Sequence, residues 1–365
     1  MSHHARIARF SSVSTALALI DDRQLAEIME RAKSVGSGIG GTSALIEVDG
    51  VPVFAKQVPL TDLERRPENV RSTANMFGLP AFCQYGVGGP GFGAWRELAA
   101  NTMTTNWVLA GQTEAFALMY HWRVIPGAAP VADEHADLDG VVAYWGGSPA
   151  VRERLMAVAS ASASVVLFFE YIPLNLHDWL AAQLAVGGEA VVTACEMVER
   201  RLRTDVAFMN SHGLLHFDAH FRNILTDGRR LYFADLGLAT SSRFDLSKEE
   251  ADFVHRNASH DAGYAAKSLV NWLVTNVCGM PVANTDDVTV RNERIRRCAA
   301  GERFEGIPAA LAAIITRYAP ITVVMNDFYW KLFGESRATP YPAEQVGRAL
   351  FPSAASALQA DVRVV

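Results

Sequence analysis

The sequence predicts an α+β protein in which a small strand-rich half precedes a larger helical one. Two observations carry that expectation. Segments with the composition or period of strands lie before about residue 172, and beyond 173 almost every periodic segment has helical spacing. The 365 residues are half apolar, a fifth charged and free of biased tracts, enough chain to bury a core in two lobes.

Each element can be justified in turn. Over 14–33, Leu17, Leu19, Ile20, Leu25, Ile28 and Met29 recur at mostly helical spacing, with Ser14 placed to start the helix, so residues 1–34 are expected to form a helical extension. It ends at Val35-Gly36-Ser37-Gly38-Ile39-Gly40-Gly41. Residues 42–48 and 51–58 then read as strands joined by an Asp49-Gly50 turn. The stretch 61–93 is rich in Pro, Gly and Asn and lacks periodicity, which predicts an insertion at about 57–93 with little regular structure. Residues 94–109 look helical, 116–125 strand-like, and 126–149 a loop. The apolar run 165–172, stopped by Pro173, suits a buried strand leaving its sheet. Helices are expected over 176–184 and 190–211, the second closed by Gly213, and over most of 261–333. The organisation expected is therefore an extension (1–34), a strand-rich lobe (35–172), a helical lobe (173–350) and a tail (351–365).

Composition narrows the function. A net charge of −6 gives no bulk electrostatic reason to expect nucleic acid or an anionic membrane as partner. Cys83, Cys195, Cys278 and Cys298 have neither CxxC nor metal-ligand spacing, so they read as reduced, mostly buried thiols. The N-terminal His3, His4, Arg6 and Arg9 are not followed by the apolar run of a secretory signal, and no stretch reaches about eighteen uninterrupted apolar residues. A cytoplasmic location is the resulting expectation.

The segment that carries chemistry is Gly213-Leu214-Leu215-His216-Phe217-Asp218-Ala219-His220-Phe221-Arg222-Asn223-Ile224-Leu225, followed by Leu231-Tyr232-Phe233-Ala234-Asp235-Leu236-Gly237-Leu238-Ala239. A carboxylate, an amide five residues on, and a second carboxylate after a short hairpin are the parts phosphoryl transfer needs. One acid orients an attacking hydroxyl, while the amide and the second acid hold Mg²⁺ against ATP phosphates. Asp227-Gly228 supplies the hairpin that returns Asp235.

This segment resembles the catalytic and metal-binding loops of the protein-kinase-like superfamily, with His216-Phe217-Asp218 to Asn223 matching HxD(x)₄N and Asp235-Leu236-Gly237 matching DFG. The resemblance implies a two-lobed protein-kinase-like fold, with a small antiparallel-sheet N-lobe and a larger helical C-lobe. It further implies Asp218 as catalytic base beside His216, Asn223 and Asp235 as Mg²⁺ ligands, and ATP as cofactor. Gly36-x-Gly38-x-x-Gly41 lies in the right order to close over phosphates, and Lys56 resembles the lysine that grips them. Glu97, in Trp95-Arg96-Glu97-Leu98, is the chosen carboxylate partner of Lys56, with Glu64 and Glu68 as competitors. Glu170, Tyr171 and Ile172 resemble the linker whose backbone meets adenine, bordered by Phe169. Asp261 reads equally as a brace of the catalytic loop or as a helix N-cap. The arginines of 291–297 read as a solvated helix face.

Four departures bear on substrate and control. Phe217 stands where many protein kinases have arginine, His220 stands where they usually have lysine, and no Ala-Pro-Glu follows Asp235. A histidine two places after the base is common in the aminoglycoside phosphotransferases of the same superfamily. Phe54, two before Lys56, also replaces a small residue on the adenine side. The resemblance implies transfer of the γ-phosphate to a hydroxyl acceptor, first a protein Ser/Thr, with a small-molecule acceptor as the alternative. A nucleotide-binding module without catalysis is a third reading, disfavoured because Lys56, Asp218, Asn223 and Asp235 are all present. Phenylalanine at 217 cannot bind a phosphate, so the site is expected to assemble without phosphorylation of Thr240, Ser241, Ser242, Ser247 or Ser259, leaving control to substrate, a partner or the insertion.

Overall fold

The computed structural model describes residues 1–38, 41–86, 89–127 and 136–351. It is an α+β protein. Helices α1 (His3–Leu19) and α2 (Asp22–Glu30) precede strands β1 (Lys33–Gly38), β2 (Gly41–Val48) and β3 (Val51–Leu60). Then come α3 (Asp62–Arg65), α4 (Ala94–Leu109), β4 (Met119–Pro126), α5 (Leu138–Tyr144), α6 (Pro149–Ala159) and β5 (Ala163–Glu170). The five strands form one antiparallel sheet in the order β1-β2-β3-β5-β4. Because β5 lies between β3 and β4 and is covered by side chains, Val165, Val166, Leu167 and Phe168 are fully buried, which explains its run of apolar residues. Asp49 and Gly50 both have positive φ, +50° and +76°, the conformation a two-residue hairpin turn demands.

The chain continues through β6 (Leu174–Asn175), α7 (Leu176–Val186), α8 (Gly188–Ser211), β7 (Leu214–Leu215), β8 (Ile224–Thr226), β9 (Leu231–Phe233) and β10 (Thr240–Ser241). Helices α9 (Lys248–Arg256), α10 (His260–Trp272), α11 (Thr285–Ala299), α12 (Ala309–Gly334) and α13 (Ala343–Leu350) follow. Two compact units can be distinguished. The first comprises Met1–Pro173, His216–Asp218 and Tyr232–Asp252; the second comprises Leu174–Leu215, Ala219–Leu231 and the chain from Phe253 onward.

Within the first unit, three sequence expectations are corrected. The single helix expected over 14–33 is two helices. Ser2, not Ser14, caps the first by accepting the Ala5 N–H at 3.2 Å, and Asp21 and Gln24 form a capping box that starts the second. Arg123 of β4 closes the end of α1 by donating to the carbonyls of Leu17 and Ile20, where a cation also suits the helix dipole. The glycine-rich segment is strand before it is loop, since β1 begins at Lys33 and pairs Gly38 with Gly41; Ile39 and Gly40 lie outside the described residues. The loop expected over 126–149 contains α5, capped by Asp137 through the Gly140 N–H. Residues 128–135 of that loop, like Val87 and Gly88 of the insertion and residues 352–365 of the tail, lie outside the described residues. The insertion holds α3 and two short 3₁₀ turns, and its Phe77, Leu79 and Cys83 pack with Trp145, Val151 and Leu155 into a core of their own.

The second unit is built on α8, α10 and α12. Leu311, Ile315, Ala319 and Met325 bury one side of α12 among its neighbours. That helix is long and apolar enough to cross a membrane by length and composition, but it carries Arg317 and Asp327, and its inward face is core. Asn271 and Asn326 exchange amide hydrogen bonds at 2.9 and 3.1 Å, and His260 bonds the Tyr329 hydroxyl at 2.8 Å.

One carboxyl in this unit works against stability at neutral pH. Burial pushes Asp205 of α8 up to about 6, opposed more weakly by Arg201 at 3.9 Å and the Thr204 hydroxyl. Because the folded pKa lies above the unfolded one, the folded chain holds this proton between about pH 4 and 6 while the unfolded chain releases it. The favourable contribution is therefore full below about pH 4 and lost as pH rises through about 6. Asp205→Asn is expected to raise stability at pH 7 by up to about 3 kcal/mol and to leave it nearly unchanged at pH 4. Urea unfolding at the two pH values checks this, and an unaltered midpoint at pH 7 would contradict it.

Candidate active site

The first unit gathers Lys56, Glu97 and Asp235 at one point. Lys56 of β3, 8 % exposed, places Nζ 2.7 Å from Glu97 Oε1 and 2.8 Å from Asp235 Oδ1. Burial opposes its charge, but the Asp235 and Glu97 carboxylates outweigh that and raise its pKa above the usual lysine range. The lysine in turn lowers the pKa of Asp235, whose side chain is half exposed. Burial raises Glu97, with Lys56 pulling the other way. The result at neutral pH is a permanent cation against a permanent anion. A side chain at Gly237 would come 3.2 Å from Glu97 Oε2, so the glycine lets the chain after Asp235 approach α4.

The choice of Glu97 over its competitors follows from what fixes α4. Glu68 is exposed. Glu64 is buried and committed elsewhere: it accepts the Ala94 N–H at 2.8 Å, pairs with Arg154 at 3.0 Å and accepts from the Thr61 hydroxyl at 2.7 Å. Its carbonyl also accepts from Trp95 Nε1 at 2.9 Å. Burial works against its charge, yet Arg154 and the Thr61 and Ala94 hydrogen bonds hold the carboxyl below its ordinary value. Glu64 thus supplies the anion at the α4 N-terminus that Gly93 cannot.

His216, Phe217 and Asp218 belong to the same unit. His216 is fully buried and bonds through Nε2 to the Ala234 carbonyl at 3.0 Å, while Nδ1 accepts the Asp218 N–H at 3.3 Å. These two bonds fix the tautomer with hydrogen on Nε2 and tie the histidine to Asp218 of its own motif and to Ala234, just before Asp235. Phe217 and Asp235 both have positive φ, +63° and +56°. Aspartate tolerates that conformation; phenylalanine does so at a cost of roughly 1–3 kcal/mol. Phe217 is held there by complete burial and an edge contact with Tyr85 of the insertion, ring centroids 5.9 Å apart.

Asn223 belongs to the second unit, half-buried in the turn before β8, with its N–H donating to the His220 carbonyl at 2.8 Å. His220 Nδ1 accepts the Arg222 N–H at 3.2 Å and so serves that turn. In the same unit Asp261 lies within α10 rather than at its cap. It accepts from Asn210 Nδ2 at 2.9 Å, and Asn210 donates to the Leu214 carbonyl at 3.0 Å; the N-cap position belongs to Ser259.

Gly41 starts β2, the strand whose Ser43 lies opposite Lys56, while Gly36 and Gly38 lie one strand further away on β1. Gly41 has φ +113°, and a Cβ there would fall 1.9 Å from the Gln57 carbonyl oxygen, so only glycine fits. Around Gly36 a Cβ would meet nothing within 4 Å. Gly38 ends β1. Glu170 ends β5 with its N–H donating to the Leu118 carbonyl at 2.8 Å, and Ile172 follows half-buried. The Glu170 carboxylate turns inward to Arg6 of α1, which also donates to the Phe116 carbonyl at 2.7 Å and lies over the Tyr232 ring.

Sequence reasoning missed Arg6, Glu64 as a cap, Arg154, and the buried pair of Arg96 with Glu250 at 2.7 Å. Glu64 and Glu250 each carried a local signal, because Thr61-x-x-Glu64 and Ser247-x-x-Glu250 are capping-box patterns and both hydrogen bonds of each box form. Three of the four arginines of α11 are paired, Arg294 and Arg297 with Glu302, and Arg296 with Glu293 and Asp327. Cys83, Cys195 and Cys298 are buried and unbridged, as is the half-buried Cys278. Among the described residues no three His, Cys, Asp or Glu side chains converge as a metal site. No protein-family model matches this chain, and no curated protein matches it in sequence.

Removing the Glu64 carboxylate strands Arg154 in a buried position. Glu64→Ala is expected to cost about 3–5 kcal/mol of unfolding free energy. A loss below about 1 kcal/mol in denaturant unfolding would show that the pair does not fix α4.

Proposed function

We propose that this protein is an ATP- and Mg²⁺-dependent phosphotransferase of protein-kinase-like, two-lobed fold that passes the γ-phosphate to a hydroxyl, with a protein serine or threonine as the first choice of acceptor. The observation that carries the reading is the buried Lys56 set between Glu97 and Asp235, in the same unit as the His216–Asp218 motif. The donor chemistry fits the proposed cofactors. Asp235 stays anionic, Asn223 would add a neutral hard oxygen, and Mg²⁺ is commonly held by one or two protein oxygens with phosphates and water supplying the rest. Mg²⁺ would neutralise charge on the phosphates. Lys56, kept protonated, would grip them; Glu97 would hold Lys56 in place; Asp218 would orient the acceptor hydroxyl and take its proton. The glycines at 36, 38 and 41 and the backbone near Glu170 and Ile172 would receive the nucleotide.

A turnover assay offering candidate proteins on one side and aminoglycosides or other hydroxylated metabolites on the other decides the acceptor class. Transfer only to the small molecules would move the assignment to the small-molecule branch that His220 suggests.

Two variants test the roles. Asp218→Asn is expected to lower transfer by a hundredfold or more with nucleotide affinity little changed, since the base acts on the acceptor. Near-normal turnover would remove it from that role. Asp235→Ala is expected to weaken Mg·ATP binding in a chain that still folds, and calorimetry showing undiminished affinity would count against the metal assignment.

A further inference from the structure

Arg96 and Glu97 are neighbours on α4, and successive side chains of a helix leave its axis about 100° apart. One faces Lys56. The other faces away and is almost fully buried: Arg96 donates through Nη2 to Glu250 Oε1 at 2.7 Å and through Nε to the Thr73 carbonyl at 2.6 Å, and its guanidinium lies over the Phe92 ring. Thr73 also accepts the Asp245 N–H through its hydroxyl at 2.9 Å, and Gln84 donates to the Leu238 carbonyl at 2.9 Å. The segment that follows Asp235 is thus tied at Leu238, Asp245 and Glu250, each time to α4 or to the insertion ahead of it. Glu250 is itself fixed, accepting the Ser247 N–H at 3.0 Å.

On the phosphotransferase reading above, we infer that Arg96 and Glu250 are positioning residues: a built-in carboxylate anchors the segment after Asp235 to α4 and so holds Glu97 on Lys56 without any added phosphate. A carboxylate bonded to a buried guanidinium is the attachment that a phosphorylated side chain would otherwise provide, since both are anions recognised by the planar arginine fork. Phe217, packed on Tyr85, has no part in anion binding. Glu97 depends on this anchor because its own partner, Lys56, is shared with Asp235 at nearly equal distance. Rotation of α4 about its axis would surrender the Glu97 contact and leave the Asp235 contact intact.

The test uses the full chain. Glu250→Gln keeps size and one hydrogen-bond acceptor, so circular dichroism at the assay temperature should show a folded protein. It is expected to lower kcat/KM for ATP at least tenfold and to speed amide exchange over 94–109. In a Glu97→Gln background the same change is expected to cost less than twofold, because an anchor that acts through Glu97 has nothing left to hold. The swap Arg96→Glu with Glu250→Arg, which reverses the pair, should recover part of the loss. Equal activity and equal exchange in Glu250→Gln would overturn the inference, as would a loss that multiplies with that of Glu97→Gln. A tenfold fall in wild-type rate after phosphatase treatment, restored by rephosphorylation at Thr240, Ser241, Ser242, Ser247 or Ser259, would overturn it as well. A wild-type chain that neither binds nor turns over ATP defeats the functional reading instead, and amide exchange still reports whether Glu250 fixes α4.

Discussion

Two carboxylates and one ammonium group, all brought close in a mostly buried place, are the constraint on which the first unit is built. Glu97 and Asp235 would repel each other without Lys56, and Lys56 would be costly to bury without them. Such a triad is stable only if the three elements carrying it cannot drift. β3 is fixed by pairing on both sides, α4 by Glu64 at its first turn and Arg96 on its flank, and Asp235 by a left-handed backbone conformation that aims its side chain. Buried ion pairs seldom add net stability over apolar replacements. Their concentration here, around one helix, is better explained by the need to hold a geometry than by a need for stability.

Strain follows the same logic. Among the described residues, four that are not glycine have positive φ, namely Asp49, Arg71, Phe217 and Asp235. Asp49 serves a hairpin. Phe217 and Asp235 flank the histidine whose two ring nitrogens bond the Asp218 N–H and the Ala234 carbonyl. Unfavourable backbone conformations persist where surrounding packing over-determines them, and Phe217 is among the most completely buried side chains of the protein.

What the sequence disclosed was local. The 216–239 segment could be read because its residue types stand at fixed short spacings, and α4 could be placed at 94–109 because it is long and periodic. The five-stranded antiparallel sheet was legible in part, from the Asp49-Gly50 turn and the apolar run of β5. The ion pairs that hold α4 were not legible, because Glu64 and Arg154 are 90 residues apart and Arg96 and Glu250 are 154 apart, distances over which no pattern relates one residue to another. The break between α1 and α2 did have a local signature, the Asp21-x-x-Gln24 box, but apolar spacing continues across it and masks the stop. Glu97 and Glu64 could not be told apart by composition. Only the burial of one against Lys56 and of the other against Arg154 separates them.

The bond between Arg6 and Glu170 has a bearing on how this chain is made. Arg6 leaves the ribosome 164 residues before the carboxylate that neutralises it, and the Phe116 carbonyl it also needs comes 110 residues later. At about 5–20 residues per second, the Arg6 guanidinium waits on the order of ten to thirty seconds for that carboxylate. The last strand of the sheet therefore does more than complete it. Its last residue brings the anion that lets the Arg6 charge be buried, and the first unit is complete only when Tyr232–Asp252 have supplied the ring under Arg6, Asp235 to Lys56 and Glu250 to Arg96.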